Sequence, residues 1–432
     1  MAKSGASASP VKLIIKELVP PALWKAAKRM RSRAPARPRP AVPKAAGVRS
    51  TAAGGVSSSG PAKASTAGAD TGGQAPDAVA SEKFSVRTGM KVWDTLTHRS
   101  LDELAGCDPD FRPTSFWGPG LSQLLTDMSD RGLDSFKSWR TAGFWFYPAY
   151  GAGFTNATIN VTFDAAQKAN PKVNRPFLAT ALSGGGEARR DFDAVRLFWD
   201  QSNWPADLEG LGESQIGKPP QYFRLTGSDT VAWTRPYLNY LLCLAALSQH
   251  VTEPATSFVE IGGGFGVLGE IVLSRNPQAR YVNLDIPPLL TVSSYYLTEL
   301  FGRDQVMIYD DRFADSGPVE VPGSACLPNW RIEDLVGDYD VFVNSFSFQE
   351  MEPHVVQRYV DAVARLGVKH VVSLNSRLGK PKQSAESKIG VIDPVTSQRI
   401  VEMFGAHGYE VRGRYGDPQI RGAGELVVLS RS

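Results

Sequence analysis

The sequence predicts an α/β protein: a doubly wound, seven-stranded sheet over residues 251–432, a helical accessory domain over 83–250, and a disordered N-terminal tail. Three observations predict it. Short apolar runs alternate with helical ones after residue 252, which is typical of a parallel sheet with right-handed crossovers. Aromatic residues are dense in the accessory domain. Residues 34–82 contain 36 Ala, Gly, Ser, Pro or Thr among 49 residues and no Leu, Ile, Met or aromatic residue.

The tail divides into a basic amphipathic segment, residues 1–33, and a linker, residues 34–82. Residues 1–50 carry 12 basic residues and one acidic residue, and 11–33 interleave the basic residues with apolar ones. This pattern predicts peripheral contact with an anionic membrane at its inner face, each basic residue adding about 1 kcal/mol. A solvated basic tail is the alternative, since Pro20-Pro21 weakens the helix. The linker cannot bury enough apolar surface to offset chain entropy, so we expect it to be disordered.

The accessory domain shows helical periodicity in three stretches, Leu121–Asp130, Phe192–Trp199 and Trp233–Gln249. Loops rich in Gly, Pro and Asn separate them. We expect most of its aromatic rings in the core and the others along a cleft. The domain is therefore predicted to cap the site of the following domain and to select its substrate.

Apolar runs after residue 250 predict five strands, at Ser257–Ile261, Arg280–Leu284, Gln305–Tyr309, Tyr339–Val343 and Val368–Leu374. Helices are predicted at about Phe265–Arg275, Pro288–Phe301, Pro353–Leu366 and Pro394–His407. Two further strands, Tyr409–Arg414 and Glu425–Leu429, are joined without a helix, so one of them is expected to run antiparallel.

Composition excludes several classes of protein. Cys107, Cys243 and Cys326 are odd in number and far apart, which excludes a disulfide scaffold and a zinc ribbon and makes a reducing cytoplasm the expected compartment. Residues 51–432 hold 35 basic and 43 acidic residues, so no nucleic-acid partner is expected. No run approaches the roughly 18 apolar residues that span a bilayer. Carboxylates and histidines show no recognised ligand spacing, so no metal is predicted.

The segment Glu260-Ile-Gly-Gly-Gly-Phe-Gly266 ends the first predicted strand. Its glycines at every second position let the backbone turn tightly with positive φ against a ligand. Asp285 ends the second strand, where a carboxylate accepts hydrogen bonds from both hydroxyls of a ribose. A nucleoside-shaped ligand is therefore predicted at the carboxyl edge of the sheet. Its predicted contacts are Glu260, Gly262, Gly263, Gly264, Gly266, Asp285 and Ile286.

Two nucleoside ligands fit this pattern. Gly264-Phe-Gly-Val-Leu-Gly269 is also the G-x-G-x-x-G of dinucleotide folds, and Asp285 lies near its offset of about 20 residues. Three observations favour S-adenosylmethionine over a nicotinamide. Glu260 and Gly262 lie at the positions that a methyltransferase turn requires. The last two strands form a pair, which matches the reversed last strand of methyltransferase sheets. No tyrosine is followed by a lysine four residues later, so the Tyr/Lys pair of short-chain sugar dehydrogenases and epimerases is absent. The alternatives are a nicotinamide-dependent, sugar-modifying oxidoreductase, and glycines that serve only strand–helix packing.

Several blocks then resemble the sugar O-methyltransferase family of bacterial glycan clusters, within the class I S-adenosylmethionine-dependent methyltransferases. The blocks are Glu260–Gly266, Asn283-Leu-Asp-Ile-Pro287, Ser293-Ser-Tyr-Tyr-Leu297, Val343-Asn-Ser-Phe-Ser-Phe-Gln-Glu-Met351 and Ser373-Leu-Asn375. Upstream, Glu213-Ser-Gln-Ile-Gly-Lys-Pro219 and Ser115-Phe-Trp117 are similar too, although Lys218 stands where the family pattern has Asn. The resemblance covers residues 110–430 in scattered blocks. It implies a Rossmann-like sheet, S-adenosylmethionine as cofactor, and methylation of a sugar hydroxyl in polysaccharide biosynthesis.

The residues predicted to carry the chemistry follow the fourth strand. Asn344 and Ser345 leave the sheet where the sulfonium methyl group would be presented. Glu350 and His354 come next, and each is a candidate base for the proton of the acceptor hydroxyl. The alternatives are a ligand contact or a salt bridge for Glu350 and a surface position for His354. Asp310, after the third strand, is a candidate partner of the adenine amino group, with a surface turn as its alternative.

The sequence therefore predicts a methyltransferase that uses S-adenosylmethionine to modify a sugar hydroxyl of a glycan or glycan precursor. Aromatic residues of the accessory domain would supply flat faces for the apolar face of the sugar ring. The non-enzymatic alternative is a membrane-tethered scaffold on the same fold.

Overall fold

The computed structural model describes residues 79–114, 116–151, 164–172, 182–204, 210–313, 317–384, 389–420 and 422–431. The chain divides into two units, residues 1–90 and 91–432, and of the first unit only the start of one helix is described. The predicted basic segment 1–33 and the linker up to residue 78 lie outside the described residues. Within the described residues, no helix combines the length and the hydropathy that a bilayer crossing requires.

Among the described residues before 250, the regular elements are helices joined by loops, with one isolated β-bridge between Phe223 and Trp233. Its longer helices are α1 (Val79–Gly106), α2 (Gly118–Arg131), α3 (Gly185–Trp199) and α4 (Arg235–Ser248). The three predicted helical stretches correspond to α2, α3 and α4. Helix α4 begins after Thr234, whose hydroxyl accepts the N–H of Tyr237, and Pro236 occupies its first turn. Because α4 is apolar on nearly every side, it is buried through most of its length.

Strands and helices alternate after residue 250. The strands are β1 (Ser257–Ile261), β2 (Arg280–Asp285), β3 (Val306–Ile308), β4 (Val319–Glu320), β5 (Ser324–Pro328), β6 (Leu335–Val336), β7 (Val341–Ser345), β8 (His370–Ser376), β9 (Tyr409–Tyr415) and β10 (Gly424–Arg431). The helices are α5 (Val267–Arg275), α6 (Leu289–Phe301), α7 (Pro353–Arg365) and α8 (Ser397–Gly405).

One sheet contains eight of these strands, in the order β3-β5-β2-β1-β7-β8-β10-β9, while β4 and β6 pair separately. Strand β1 is parallel to β2 and β7 on either side, and all five of its residues are buried, as expected for a central strand covered on both faces. Strand β10 is antiparallel to both β8 and β9. The predicted antiparallel strand at the end of the chain is confirmed.

The sheet has eight strands rather than the predicted seven, because β5 inserts between β2 and β3. Its sequence, Ser-Ala-Cys-Leu-Pro, is short and poor in β-branched and aromatic residues, so it gives only a weak strand signal. The insertion moves the end of β3 one strand further from β1. A side chain after β5, and not one after β3, therefore stands beside the end of β2.

The main hydrophobic core includes side chains from both sides of residue 250, and a second, smaller cluster is formed by Leu101, Leu104, Leu121 and Leu125. Phe265, in the turn after β1, packs against Phe136 and Tyr147 of the helical part, with ring centroids 5.7 and 5.4 Å apart. The boundary predicted at residue 250 thus marks a change of architecture within one packed unit. The carboxyl ends of β1, β2, β5 and β7 face the helical part, and the candidate site lies there.

Candidate functional site

A cavity of about 290 Å³ lies at the carboxyl edge of the sheet. Of the residues predicted to form the site, Gly262, Gly263, Gly264, Asp285, Ile286, Ser345 and Glu350 line it. The helical part closes the cavity from the other side, with residues 110–114, Trp117, 144–148 and 235–240 contributing to its wall. Its size is near the lower end of small-molecule sites.

The turn after β1 leaves bare backbone at the floor of the cavity. Gly262 has a φ of 71°, and a Cβ there would collide with the Ser347 side chain. A Cβ on Gly263 would lie 2.5 Å from both Glu260 Oε2 and Asn283 Oδ1. Since side chains already fill the space beneath the turn, the glycines allow a ligand to approach the backbone from the cavity side.

Asp285 lies beside this turn, as predicted from its position at the end of β2. Its Oδ2 accepts the N–H of Gly264 at 2.8 Å, and its Oδ1 accepts the N–H of Ile286 at 2.7 Å. Burial raises the pKa of Asp285 to about 8, against the opposing effect of these two hydrogen bonds. A carboxyl group has further lone pairs, so it can still accept hydrogen bonds from ligand hydroxyls.

Asn329 follows β5 and was missed by the sequence analysis. Its Nδ2 donates to the carbonyl of Phe111 at 2.8 Å and to Tyr359 Oη at 2.7 Å. Its Oδ1 is buried in the wall of the cavity and has no hydrogen-bond partner among the described residues. A buried acceptor of this kind is costly unless a ligand N–H or a water satisfies it. The sequence contains no signal for Asn329 other than its position after β5, a strand that was not predicted.

The prediction for Asp310 is not supported, because β5 separates the end of β3 from the cavity. Asp310 forms an ion pair with Arg312 at 2.9 Å, and about a third of its side chain is exposed. Its guanidinium partner lowers the pKa of the Asp310 carboxyl, against the effect of partial burial. It is a surface turn residue, the alternative given above.

Glu260, Gly266 and Asn344 lie next to the site and do not line the cavity. Glu260 is fully buried, accepts hydrogen bonds from the hydroxyls of Tyr240 and Tyr281, and has its pKa raised to about 7 by burial. Gly266 precedes α5 as its cap. Asn344 links β1 to the following turn, donating to the carbonyl of Ile261 and accepting the N–H of Phe348. These three residues support the turns that shape the cavity.

Glu350 lines the cavity together with Lys380, a residue that the sequence analysis did not identify. Lys380 Nζ lies 2.9 Å from Glu350 Oε1, and Trp117 Nε1 donates to Glu350 Oε2 at 2.9 Å. Burial raises the pKa of Glu350, while the Lys380 ammonium opposes that shift. Lys380 lies 30 residues after Glu350, in the loop after β8, so no local pattern connects the two.

His354 lies outside the cavity, and its prediction as a catalytic base is not supported. Two thirds of its side chain is exposed, and its Nε2 lies 3.5 Å from Asp110 Oδ1. Glu350 is in a short 3-10 turn, Phe348–Glu350, while His354 is in the first turn of the separate helix α7. Because the two segments are not one helix, the spacing of four residues does not place both side chains on one face.

Aromatic rings line the part of the cavity near Glu350. The rings of Trp117 and Trp145 are 5.0 Å apart and inclined by 34°, and Phe144 meets Trp145 edge to face at 4.8 Å. Phe144 is 64% exposed, so this wall reaches the mouth of the cavity. Ser115, in the same motif as Trp117, lies outside the described residues.

The upstream block Glu213–Pro219 has a structural role. Glu213 forms a fully buried ion pair with Lys137 at 2.6 Å, and the N–H of Ser214 donates to Glu270 Oε1 at 2.7 Å. Lys218 has a φ of 55°, a left-handed conformation that Asn adopts more readily than Lys. The described residues contain no cluster of three or more side chains suited to holding a metal ion.

Comparisons with known proteins add little at the level of sequence. No protein-family model and no curated protein matches the chain. Among solved structures, mitomycin 7-O-methyltransferase MmcR is 17% identical with a TM-score of 0.31, covering 46% of this chain and 58% of its own. The pyocyanin biosynthetic protein PhzM is 18% identical with a TM-score of 0.30, covering 45% and 58%.

Magnesium protoporphyrin IX methyltransferase ChlM from Synechocystis PCC 6803, solved with bound SAM, is 13% identical with a TM-score of 0.33, covering 45% and 79%. This chain therefore spans less than two thirds of MmcR and of PhzM.

Proposed function

We propose that this protein is an S-adenosylmethionine-dependent methyltransferase that modifies a hydroxyl group of a sugar, in a glycan or a glycan precursor. The observation that carries the proposal is the set of groups around the turn after β1. There the bare turn at Gly262–Gly264, the Asp285 carboxyl group and the unpartnered Asn329 Oδ1 face one space. Asp285 would hold the ribose hydroxyls, and Asn329 Oδ1 would accept the adenine amino group.

The strand order favours this donor over a nicotinamide dinucleotide. Dinucleotide-binding sheets have six strands in the order 3-2-1-4-5-6. Here the last strand of the chain, β10, lies between β8 and β9 and is antiparallel to both, so β9 is the edge strand. When bound, S-adenosylmethionine would supply an electrophilic methyl group on its sulfonium sulfur, and the chain would have to position the acceptor and remove its proton.

Glu350 is the proposed base. It lies in the same cavity as the turn, and its two present donors, Trp117 and Lys380, leave lone pairs of the carboxylate free. The adjacent aromatic wall supports a sugar acceptor, because flat rings suit the apolar face of a pyranose while Glu350 meets a hydroxyl. The aromatic wall and the sequence resemblance are the two supports for the sugar.

Calorimetric titration of the full chain tests the donor. We expect S-adenosylhomocysteine to bind and NAD not to bind. Asp285→Ala should weaken binding by about tenfold or more, because it removes the hydrogen bonds that both ribose hydroxyls would make to this carboxyl group. Asp310→Ala is the matched control and should leave the affinity unchanged, since Asp310 lies outside the cavity. Binding of NAD alone would support the oxidoreductase, and binding of neither by folded protein would support the scaffold.

Loss of a methyl group from a glycan tests the acceptor. Mass spectrometry of glycans from cells lacking the gene should show a component lighter by one CH₂ unit, restored by the wild-type gene. Glu350→Gln should fail to restore it fully, since loss of a general base lowers the rate by about 100-fold or more. His354→Ala should restore it, because His354 is exposed outside the cavity. Unchanged glycans in the deletion strain would contradict the proposed acceptor.

A further inference from the structure

Helix α4 presents two polar side chains to the cavity that the proposed function does not yet use. Arg235 and Asn239 both line the cavity. They are four residues apart on one helix, so their side chains share a face. Neither residue belongs to the motifs identified in the sequence.

Arg235 is held in place without a neutralising charge. Its Nη1 donates to the carbonyl of Ala149 at 3.3 Å, and its guanidinium lies 5.9 Å from the centre of the Tyr150 ring. No carboxylate pairs with it among the described residues, whereas Lys380 in the same cavity is paired with Glu350. The Asn239 carboxamide also has no hydrogen-bond partner among the described residues. Together they offer a cation and an amide donor to a ligand.

The strand order decides which end of the donor these groups would meet. Asn329 and Asp285 follow β5 and β2, which lie on one side of β1. Helix α4 packs against β8 and β10, on the other side of β1, and its Tyr240 hydroxyl donates to Glu260 at the end of β1. A donor with its base at Asn329 and its ribose at Asp285 therefore extends across β1 toward α4.

We infer that Arg235 and Asn239 form a subsite for the α-carboxylate of the donor's amino-acid end. This inference rests on the proposed function. A guanidinium matches a carboxylate in charge and in planar, two-point geometry, and the carboxamide N–H₂ adds a further donor. The subsite gives the cationic side chain a counter-charge, and it fixes the end of the donor that lies next to the sulfonium.

Two ligands that differ in the amino-acid end test the subsite. S-Adenosylhomocysteine carries the carboxylate, and 5′-methylthioadenosine has the same nucleoside without the amino-acid group. In calorimetric titrations, Arg235→Met should weaken binding of S-adenosylhomocysteine about tenfold or more and leave 5′-methylthioadenosine within about twofold. Asn239→Asp should act in the same direction, because it places a like charge beside the carboxylate. Arg235→Lys should recover part of the lost affinity.

Arg224→Met is the matched control, since it removes an exposed guanidinium that also donates to a backbone carbonyl, that of Asp229 at 2.8 Å, and that lies outside the cavity. It should change neither affinity. Unchanged S-adenosylhomocysteine binding by Arg235→Met would overturn the subsite and leave the proposed function standing. Equal weakening of both ligands would also overturn it, because the effect would then not depend on the carboxylate. Failure of the wild-type chain to bind either ligand would instead contradict the proposed function.

Discussion

Replacing Lys137 by Met breaks the most deeply buried ion pair of the described structure. The side chains of Lys137 and Glu213 are 0% and 1% exposed, and their charged atoms lie 2.6 Å apart. The Lys137 ammonium also donates to the carbonyl of Ser214 and to Tyr296 Oη. It lies 5.2 Å from the centre of the Phe265 ring in the glycine turn. The Lys137→Met variant therefore tests whether this ion pair stabilises both the helical part and the glycine turn of the site.

Removing one partner of a buried pair costs about 3–5 kcal/mol of unfolding free energy, because it leaves an uncompensated charge. We expect the lower end of this range, about 3 kcal/mol, since Glu213 keeps the hydroxyl groups of Tyr147 and Thr234 as donors. Burial raises the pKa of the neighbouring Glu270 to about 7, and Lys137 opposes that shift. Without Lys137 the pKa of Glu270 rises further. A carboxyl group whose pKa is higher in the folded than in the unfolded state makes the protein less stable as pH rises. The loss of unfolding free energy in Lys137→Met should therefore be larger at pH 8 than at pH 5.

Urea unfolding followed by circular dichroism measures this deficit, with Glu213→Gln and the double variant completing a cycle. The double variant should be at least about 1 kcal/mol more stable than the sum of the single effects predicts, because it removes both charges. A Lys137→Met variant within about 1 kcal/mol of wild type would refute the reasoning. So would a deficit that shrinks from pH 5 to pH 8.

Two further predictions rest on contacts of the described residues, and a third rests on the composition of the tail. Gly263→Ala should lower the unfolding free energy by about 1–3 kcal/mol and abolish S-adenosylhomocysteine binding, because its Cβ would overlap Glu260 and Asn283. Gly405→Ala, where the space is open, is the control, and equal stabilities of the two variants would contradict the prediction. Burial raises the pKa of Glu260 from 4.5 to about 7, so wild-type stability should fall as pH rises through that interval, and Glu260→Gln should show a shallower fall in urea midpoints. Full-length protein should float with anionic liposomes, and protein lacking residues 1–82 should not; identical partitioning would exclude membrane contact by the tail.

The features that could be predicted from the sequence are those that depend on neighbouring residues. The turn Glu260–Gly266 is such a feature, because a strand, a tight turn and a helix follow one another within a few positions. Asp285 could be placed because the carboxyl ends of parallel strands meet at one edge of the sheet, and β1 and β2 are adjacent in the chain and in space.

The errors arose where the site depends on which strands become neighbours. The five-residue β5 has little strand propensity of its own, and pairing with β2 and β3 stabilises it. Because β5 inserts between β2 and β3, Asn329 lies beside the cavity at the place where Asp310 was predicted to lie. The pairing of Glu350 with Lys380 likewise joins loops that follow different strands, so their spacing in sequence contains no signal.

The sequence by itself determined the alternation of strands and helices, the reversed pair at the end of the chain and the bare turn at the site, because hydrophobic periodicity and glycine act locally. Only the tertiary structure decided which side chains share the cavity. Long-range packing sets the strand order, places α4 and the aromatic wall over the sheet, and buries Lys137 against Glu213 across 76 residues of chain. Contacts of that range depend on the shape and burial of the whole core, and no short pattern of residues specifies them.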